Sequence, residues 1–259
     1  MELITGTSSG LGYGLGRFLL EQGHLVTGLS RRASPLQEEF PDRYYHFSCD
    51  LSDLNELPAR LRQYYQLLRD WYRTAIQQGS APAEKSESNR IHLNRVWLNA
   101  GMLGRIDDLQ NTTLQELRQI TDVNLWSNKV LIDSMASPDC PCDVDHIVAI
   151  SSGASVNGNR GWSGYSISKA GLNMLIKLYS EELPNIHFLS LAPGLIDTSM
   201  QETISRIEDT STYPALQRLQ KARGTDNMPH PLEAARRILE RWDDLAASPS
   251  GAFLDIRKI

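Results

Sequence analysis

Tyr165 and Lys169 stand four residues apart in the run Tyr-Ser-Ile-Ser-Lys, an interval that puts both side chains on one face of a helix. An ammonium close to a phenol favours the phenolate. The pair therefore predicts a tyrosine whose pKa falls from its usual ~10 toward neutrality and that serves as acid and base. A second arrangement opens the chain: Leu3-Ile4-Thr5 reads as a strand, Thr5-Gly-Thr-Ser-Ser-Gly-Leu-Gly12 follows, and a helical pattern begins at once. Gly6, Gly10 and Gly12 let the backbone turn tightly and come close to a pyrophosphate, whose charge meets the free N–H groups of the helix start. Leu11 lies in the same turn, and the hydroxyls of Ser8 and Ser9 add candidate donors. A third arrangement, Ser30-Arg31-Arg32, closes the next strand-like run. An acidic residue there would bind a ribose 2′-hydroxyl and repel a 2′-phosphate. Ser30 occupies the position instead, and Arg31 can hold a phosphate in a charge-assisted contact, with Arg32 as a second. Read as binding groups rather than as two solvated arginines, they predict NADP(H) as the cofactor.

These groups need a scaffold that brings strand ends together. Besides Leu3–Thr5, short apolar runs of β character recur at Leu25–Leu29, Tyr44–Phe47, Val96–Leu98, His146–Ile150 and His187–Leu191, and Gly251–Ile256 suits an edge strand. Helical periodicity fills Gly14–Glu21, Leu54–Ile76, Leu114–Met135, Ser168–Glu182 and Leu232–Trp242. Strands alternating with helices predict an α/β fold, a Rossmann-type doubly wound parallel sheet with helices on both faces. A length of 259 residues with 41 % hydrophobic content suits one domain spanning 1–259. The segment at about 77–94, polar and rich in turn formers, reads as an exposed loop. Leu57, Leu61, Tyr64, Tyr65, Leu68 and Trp71 give the helix before it an apolar stripe, read as core packing with a partner-binding face as the alternative.

The net charge of −5 disfavours nucleic acid as a partner and leaves a small molecule. Three cysteines imply no disulfide framework, and Cys140-Pro-Cys142 lacks a second ligand pair for zinc, so no metal is expected. No apolar window is long enough to span a membrane and no leader pattern opens the chain, which together predict a cytoplasmic protein. Four histidines, His24, His46, His146 and His187, read as structural groups at strands, and His92 and His230 as loop residues.

In order and spacing, these motifs resemble those of the short-chain dehydrogenase/reductases. The matches are Thr5, Gly6, Gly10 and Gly12, Asp50, Asn99-Ala100-Gly101, Asn124, Ser152, Tyr165 and Lys169, and Pro193-Gly194 with Thr198. The likeness runs from Glu2 to Ile256. It implies that Ser152, thirteen residues before Tyr165, holds the substrate carbonyl, with Ser151 as the neighbour most easily confused with it. It further implies that Tyr165 protonates the developing alkoxide, that Lys169 binds the nicotinamide ribose, and that Asn124 completes a tetrad by keeping a water in a proton relay. By the same resemblance Asp50 and Leu51 flank the adenine, Asn99, Ala100 and Gly101 line the middle of the cofactor, and Ile196 and Thr198 meet the carboxamide.

Gly-Trp shortly before Tyr165, together with Ala-Pro-Gly-Leu-Ile-Asp-Thr-Ser-Met200, is similar to the sepiapterin reductase and benzil reductase branch. Trp162 is then a flat wall beside the reacting carbon or ordinary packing, and Met102, Leu103, Leu195, Met200 and Tyr213 are further candidate walls. The stretch of about 197–230 reads as a substrate lid with few apolar anchors. The implied activity is NADPH-dependent reduction of a small hydrophobic ketone or diketone. The alternatives are an NAD(P)-dependent alcohol or polyol dehydrogenase and a non-catalytic NADP-sensing regulatory protein. The resemblance also implies a homo-oligomer, dimer or tetramer, built by pairing the helices at about Leu114–Met135 and Tyr165–Leu183.

Overall fold

Short runs rich in Leu, Ile and Val, buried on both faces, make the sheet that the sequence predicts. The computed structural model describes residues 1–80, 90–208 and 210–259. Its strands are β1 (Glu2–Thr5), β2 (Val26–Ser30), β3 (Tyr44–Ser48), β4 (Ile91–Leu98), β5 (Cys142–Ile150), β6 (His187–Ala192) and β7 (Ala252–Asp255). They form one seven-stranded sheet in the order β3-β2-β1-β4-β5-β6-β7, and every pairing is parallel. The order reverses direction between β1 and β4, which opens a crevice above their carboxyl ends.

The helices are α1 (Gly10–Glu21), α2 (Leu36–Glu39), α3 (Leu57–Gln77), α4 (Leu114–Thr121), α5 (Ser127–Ala136), α6 (Ser163–Glu182), α7 (Ser199–Ser205), α8 (Pro214–Ala222), α9 (Pro231–Glu240) and α10 (Trp242–Ala246). Two large apolar clusters cover the sheet. One unites α3, α5 and α6 through Leu61, Tyr64, Leu131, Leu172 and Ile176. The other joins α1 to α9 through Leu15, Leu19, Ala235 and Ile238. The stripe on α3 is thus core: Leu57, Leu61, Tyr64 and Leu68 are fully buried.

Three sequence expectations change. The loop expected at about 77–94 is shorter, because Ile91 and Leu93 are buried and pair with Cys142 and Val144 in β4. Residues 81–89 of that loop lie outside the described residues. His92 therefore belongs to β4, where it bonds Asp145. The long helix expected from Leu114 to Met135 is interrupted by a π-helical turn, Asp122–Trp126, a device that re-aims a side chain inside a helix. Finally, the stretch between Thr198 and His230 contains α7 and α8 and is anchored by buried Ile204, Leu216 and Met228. Ile204 and Leu216 build a third apolar cluster with Leu103, Trp162 and Ala215, in place of a loop with few apolar anchors.

Candidate active site

A cleft of about 1010 Å³ runs along the carboxyl ends of the strands. One end is built by the turn after β1. Thr5, wholly buried, orders it: its Oγ1 accepts hydrogen bonds from the N–H groups of Asn99 and Ala100, each at 2.9 Å. Asn99 returns the link, donating from Nδ2 to the Thr5 carbonyl at 2.9 Å. The turn leads into α1, whose N-cap Ser9 makes no side-chain cap and whose first turn holds no acidic residue. Its amide donors are left for an anion. Gly6, Ser8, Ser9, Gly10 and Leu11 line the cleft.

Gly12 does not line the cleft, contrary to expectation. A Cβ there would fall 2.3 Å from the Gly6 carbonyl oxygen and 2.5 Å from Asn99 Nδ2, so its missing side chain lets the turn close on itself. The turn, with the uncapped start of α1 behind it, fits a dinucleotide pyrophosphate. Ser30, Arg31, Arg32, Asp50 and Leu51 line the same end. Asp50 is held by the backbone and side chain of Ser52 at 2.9 and 2.7 Å, which together with Arg31 outweigh burial and keep its carboxyl below the usual range.

The other end holds the groups that can move a proton. Ser152 leaves β5 in extended conformation and accepts the N–H of Ala154 at 3.1 Å. Its hydroxyl also interacts with the phenol of Tyr165. Ser151 is set apart, because its hydroxyl is taken up by Asn173 Oδ1. On α6, one turn beyond Tyr165, buried Lys169 donates from Nζ to the Ile150 carbonyl at 2.6 Å. That ammonium lies 5.8 Å from the centre of the Tyr165 ring.

Asn124, fully buried in the π-helical turn, donates to the Met102 carbonyl at 2.9 Å and to Ser168 Oγ at 3.0 Å. Its Oδ1 accepts from the Met102 N–H at 2.8 Å. It sits behind the cleft and clamps the loop after β4 to α6. Its own carbonyl accepts from Asn128 Nδ2 at 2.9 Å.

The electrostatics differ from the expectation of a phenol lowered by its lysine. Burial pushes the Tyr165 phenol above its ordinary value, and the Ser152 hydrogen bond pulls only weakly the other way. The lysine is itself pushed down to about 8 by burial. One of its N–H groups is taken up by the Ile150 carbonyl, and burial keeps Tyr165 protonated at neutral pH. Such a tyrosine is an acid ready to donate.

Trp162, Met102, Leu195 and Met200 line the cleft beside Tyr165, as do Pro193, Gly194, Ile196 and Thr198, and Ala100 and Gly101 complete its floor. Trp162 is both wall and packing: its ring lies 6.0 Å from that of Tyr165 and it belongs to the third cluster. Tyr213 does not line the cleft. It packs behind Trp162 on Gly161, where a Cβ would meet its ring at 2.8 Å; Leu103 is likewise buried in the cluster. Residues missed by sequence reasoning include Asn157, Asn159, Arg218 and Arg257, all at the cleft. None belongs to a local motif, and Arg257 reaches the site only because β7 pairs with β6.

The family model described as short chain dehydrogenase matches residues 74–209. The chain is 28 % identical over 264 residues to benzil reductase ((S)-benzoin forming) of Bacillus subtilis (strain 168), covering 100 % of this chain and 98 % of that protein. It is 35 % identical over 134 residues to sepiapterin reductase of Bos taurus, covering 49 % of this chain and 48 % of the other. Among solved structures, a short chain dehydrogenase/reductase from Saccharomyces cerevisiae superimposes with a TM-score of 0.75 at 20 % identity, covering 98 % of this chain and 94 % of that one.

Proposed function

Because the chain belongs to the short-chain dehydrogenase family, we propose that it is an NADPH-dependent reductase of small hydrophobic ketones and diketones, with Tyr165 as the proton donor. The observation that carries this reading is the hydrogen-bonded pair Ser152 and Tyr165 in the cleft, with a buried Lys169 one turn along α6. When bound, the reduced dinucleotide supplies a hydride to the carbonyl carbon.

The side chains supply the rest. Ser152 and Tyr165 hold the carbonyl oxygen between two hydroxyls, and the Tyr165 proton passes to that oxygen as it gains charge. Lys169, anchored on Ile150, would hold the ribose of the cofactor, and its charge favours the phenolate left behind. Asn124 acts at one remove, by holding the Met102 loop against α6. Its fully engaged amide makes it a positioning residue in place of the direct water ligand that the family resemblance suggested.

Several features support the finer points. Arg31 and Arg32 at the end of β2, with serine where an acid would stand, favour a 2′-phosphate. Trp162, Met102, Leu195 and Met200 make an apolar wall, and benzil, the substrate in the name of the Bacillus relative, is an aromatic vicinal diketone. Helices α7 and α8 form the lid over this wall, 197–230, within a single domain 1–259. All three cysteines are buried free thiols, and no helix among the described residues is long and apolar enough to cross a membrane. Both fit the cytoplasm. Exposed Leu114, Trp126, Ile167, Met174 and Leu178 on and between α4 and α6 support a homo-oligomer. The test is NADPH consumption with a panel of ketones and diketones; absence of turnover across the panel favours the regulatory alternative.

A further inference from the structure

Arg257 follows β7 in the last turn of the chain and lines the cleft. Its stem lies over Gly194, where a Cβ would meet Arg257 Cδ at 3.5 Å. Its head is fixed by a two-point ion pair with Asp255, Nε to Oδ1 at 2.8 Å and Nη2 to Oδ2 at 2.6 Å. The side chain thus reaches from the loop after β6 toward the loop after β5. Beside Gly153, the residue after Ser152, a Cβ would sit 3.8 Å from Arg257 Nη2 and 3.5 Å from Asn157 Nδ2. Gly153 therefore borders a small space with two N–H donors next to the hydroxyl that faces the reacting carbonyl. Among the described residues no partner takes up the Asn157 side-chain amide.

We propose that Arg257 and Asn157 bind a second substrate oxygen on the carbon next to the reacting carbonyl, and so select vicinal dicarbonyls over simple ketones. This rests on the carbonyl-reductase reading above. Both groups are donors, so they call for an acceptor. The Arg257 charge is already balanced by Asp255, which favours a neutral carbonyl oxygen over a carboxylate. Ser152 and Gly153 are consecutive in the chain, which sets the second oxygen site beside the first. A simple ketone offers these donors no acceptor and so gains neither hydrogen bond.

The experiment compares kcat/KM, with saturating NADPH, for 1-phenyl-1,2-propanedione, propiophenone and phenylglyoxylate in wild type, Arg257→Met, Asn157→Ala and Gly153→Ala. The last variant adds a methyl group at ordinary contact distance, so it fills the space without straining the fold. Each variant is expected to lower the dione-to-propiophenone ratio about 10-fold or more, and propiophenone reports on the integrity of each protein. Ratios that stay within about 2-fold of wild type in all three variants overturn the assignment. So does a wild type that prefers phenylglyoxylate to the dione, which marks an anion site. A wild type that reduces none of the three compounds sinks the carbonyl-reductase reading itself, and this inference with it.

Discussion

Lys169 Nζ donates to the carbonyl oxygen of Ile150 at 2.6 Å, so a buried cation ties α6 to the end of β5 at the floor of the cleft. Burial pushes that cation down from 10.5 to about 8. A base whose folded pKa is depressed opposes folding when it must be charged. The penalty is full below about pH 8 and fades as pH rises toward 10.5. The gap is worth about 3 kcal/mol before the Ile150 bond offsets part of it. Lys169→Met is therefore expected to raise the Tm of the cofactor-free protein at pH 7, to lose that advantage by pH 10, and to abolish turnover. Thermal unfolding at the two pH values checks this, and a variant less stable than wild type at pH 7 would refute it.

Tyr165 is kept protonated by burial, and its loss removes the acid while leaving the pyrophosphate cradle intact. Tyr165→Phe is expected to lower the rate of carbonyl reduction by about 10²- to 10⁴-fold. The NADPH dissociation constant, followed by fluorescence titration, should change little. Comparable turnover in the variant would remove Tyr165 from the mechanism.

At the far end of the cleft, Arg31 and Arg32 are exposed, with Ser30 beside them. Replacing both arginines by alanine is expected to raise KM for NADPH about 10- to 100-fold, in keeping with the loss of charge-assisted bonds to phosphate. KM for NADH should hardly move. Equal effects on the two cofactors would show that neither arginine reads the 2′-phosphate.

Gly12→Ala places a methyl group 2.3 Å from the Gly6 carbonyl oxygen, and only a shift of the backbone can relieve that clash. Loss of cofactor binding is expected, with a stability cost on the order of 2 kcal/mol. Gly158→Ala, whose Cβ would meet nothing within 4 Å, is the matched control in both calorimetry and binding. A Gly12→Ala protein that binds NADPH normally contradicts the role given to the turn.

Met174 and Leu178 lie one turn apart on α6, 56 % and 53 % exposed. If they pair with a second copy, introducing Glu at both positions should halve the mass measured by light scattering. An unchanged mass moves the interface elsewhere.

What was legible in the sequence is what depends on neighbours along the chain. The turn from Thr5 to Gly12 carries its own steric logic, and Tyr165 with Lys169 are aligned by one helical turn. The apolar runs of the strands announce a parallel sheet because both their faces are covered. Strand order and helix breaks depend on distant packing. They bring Ser152 to Tyr165, set Asn124 behind the cleft through a π-helical turn, and swing Arg257 across from the last strand. Tyr213 shows the same limit from the other side: it lies within the lid stretch yet packs away from the cleft on Gly161. The sign of the Tyr165 shift was also decided in three dimensions. A lysine lowers a phenol only where its charge outweighs the cost of burying the phenolate, and here the burial of both groups prevails.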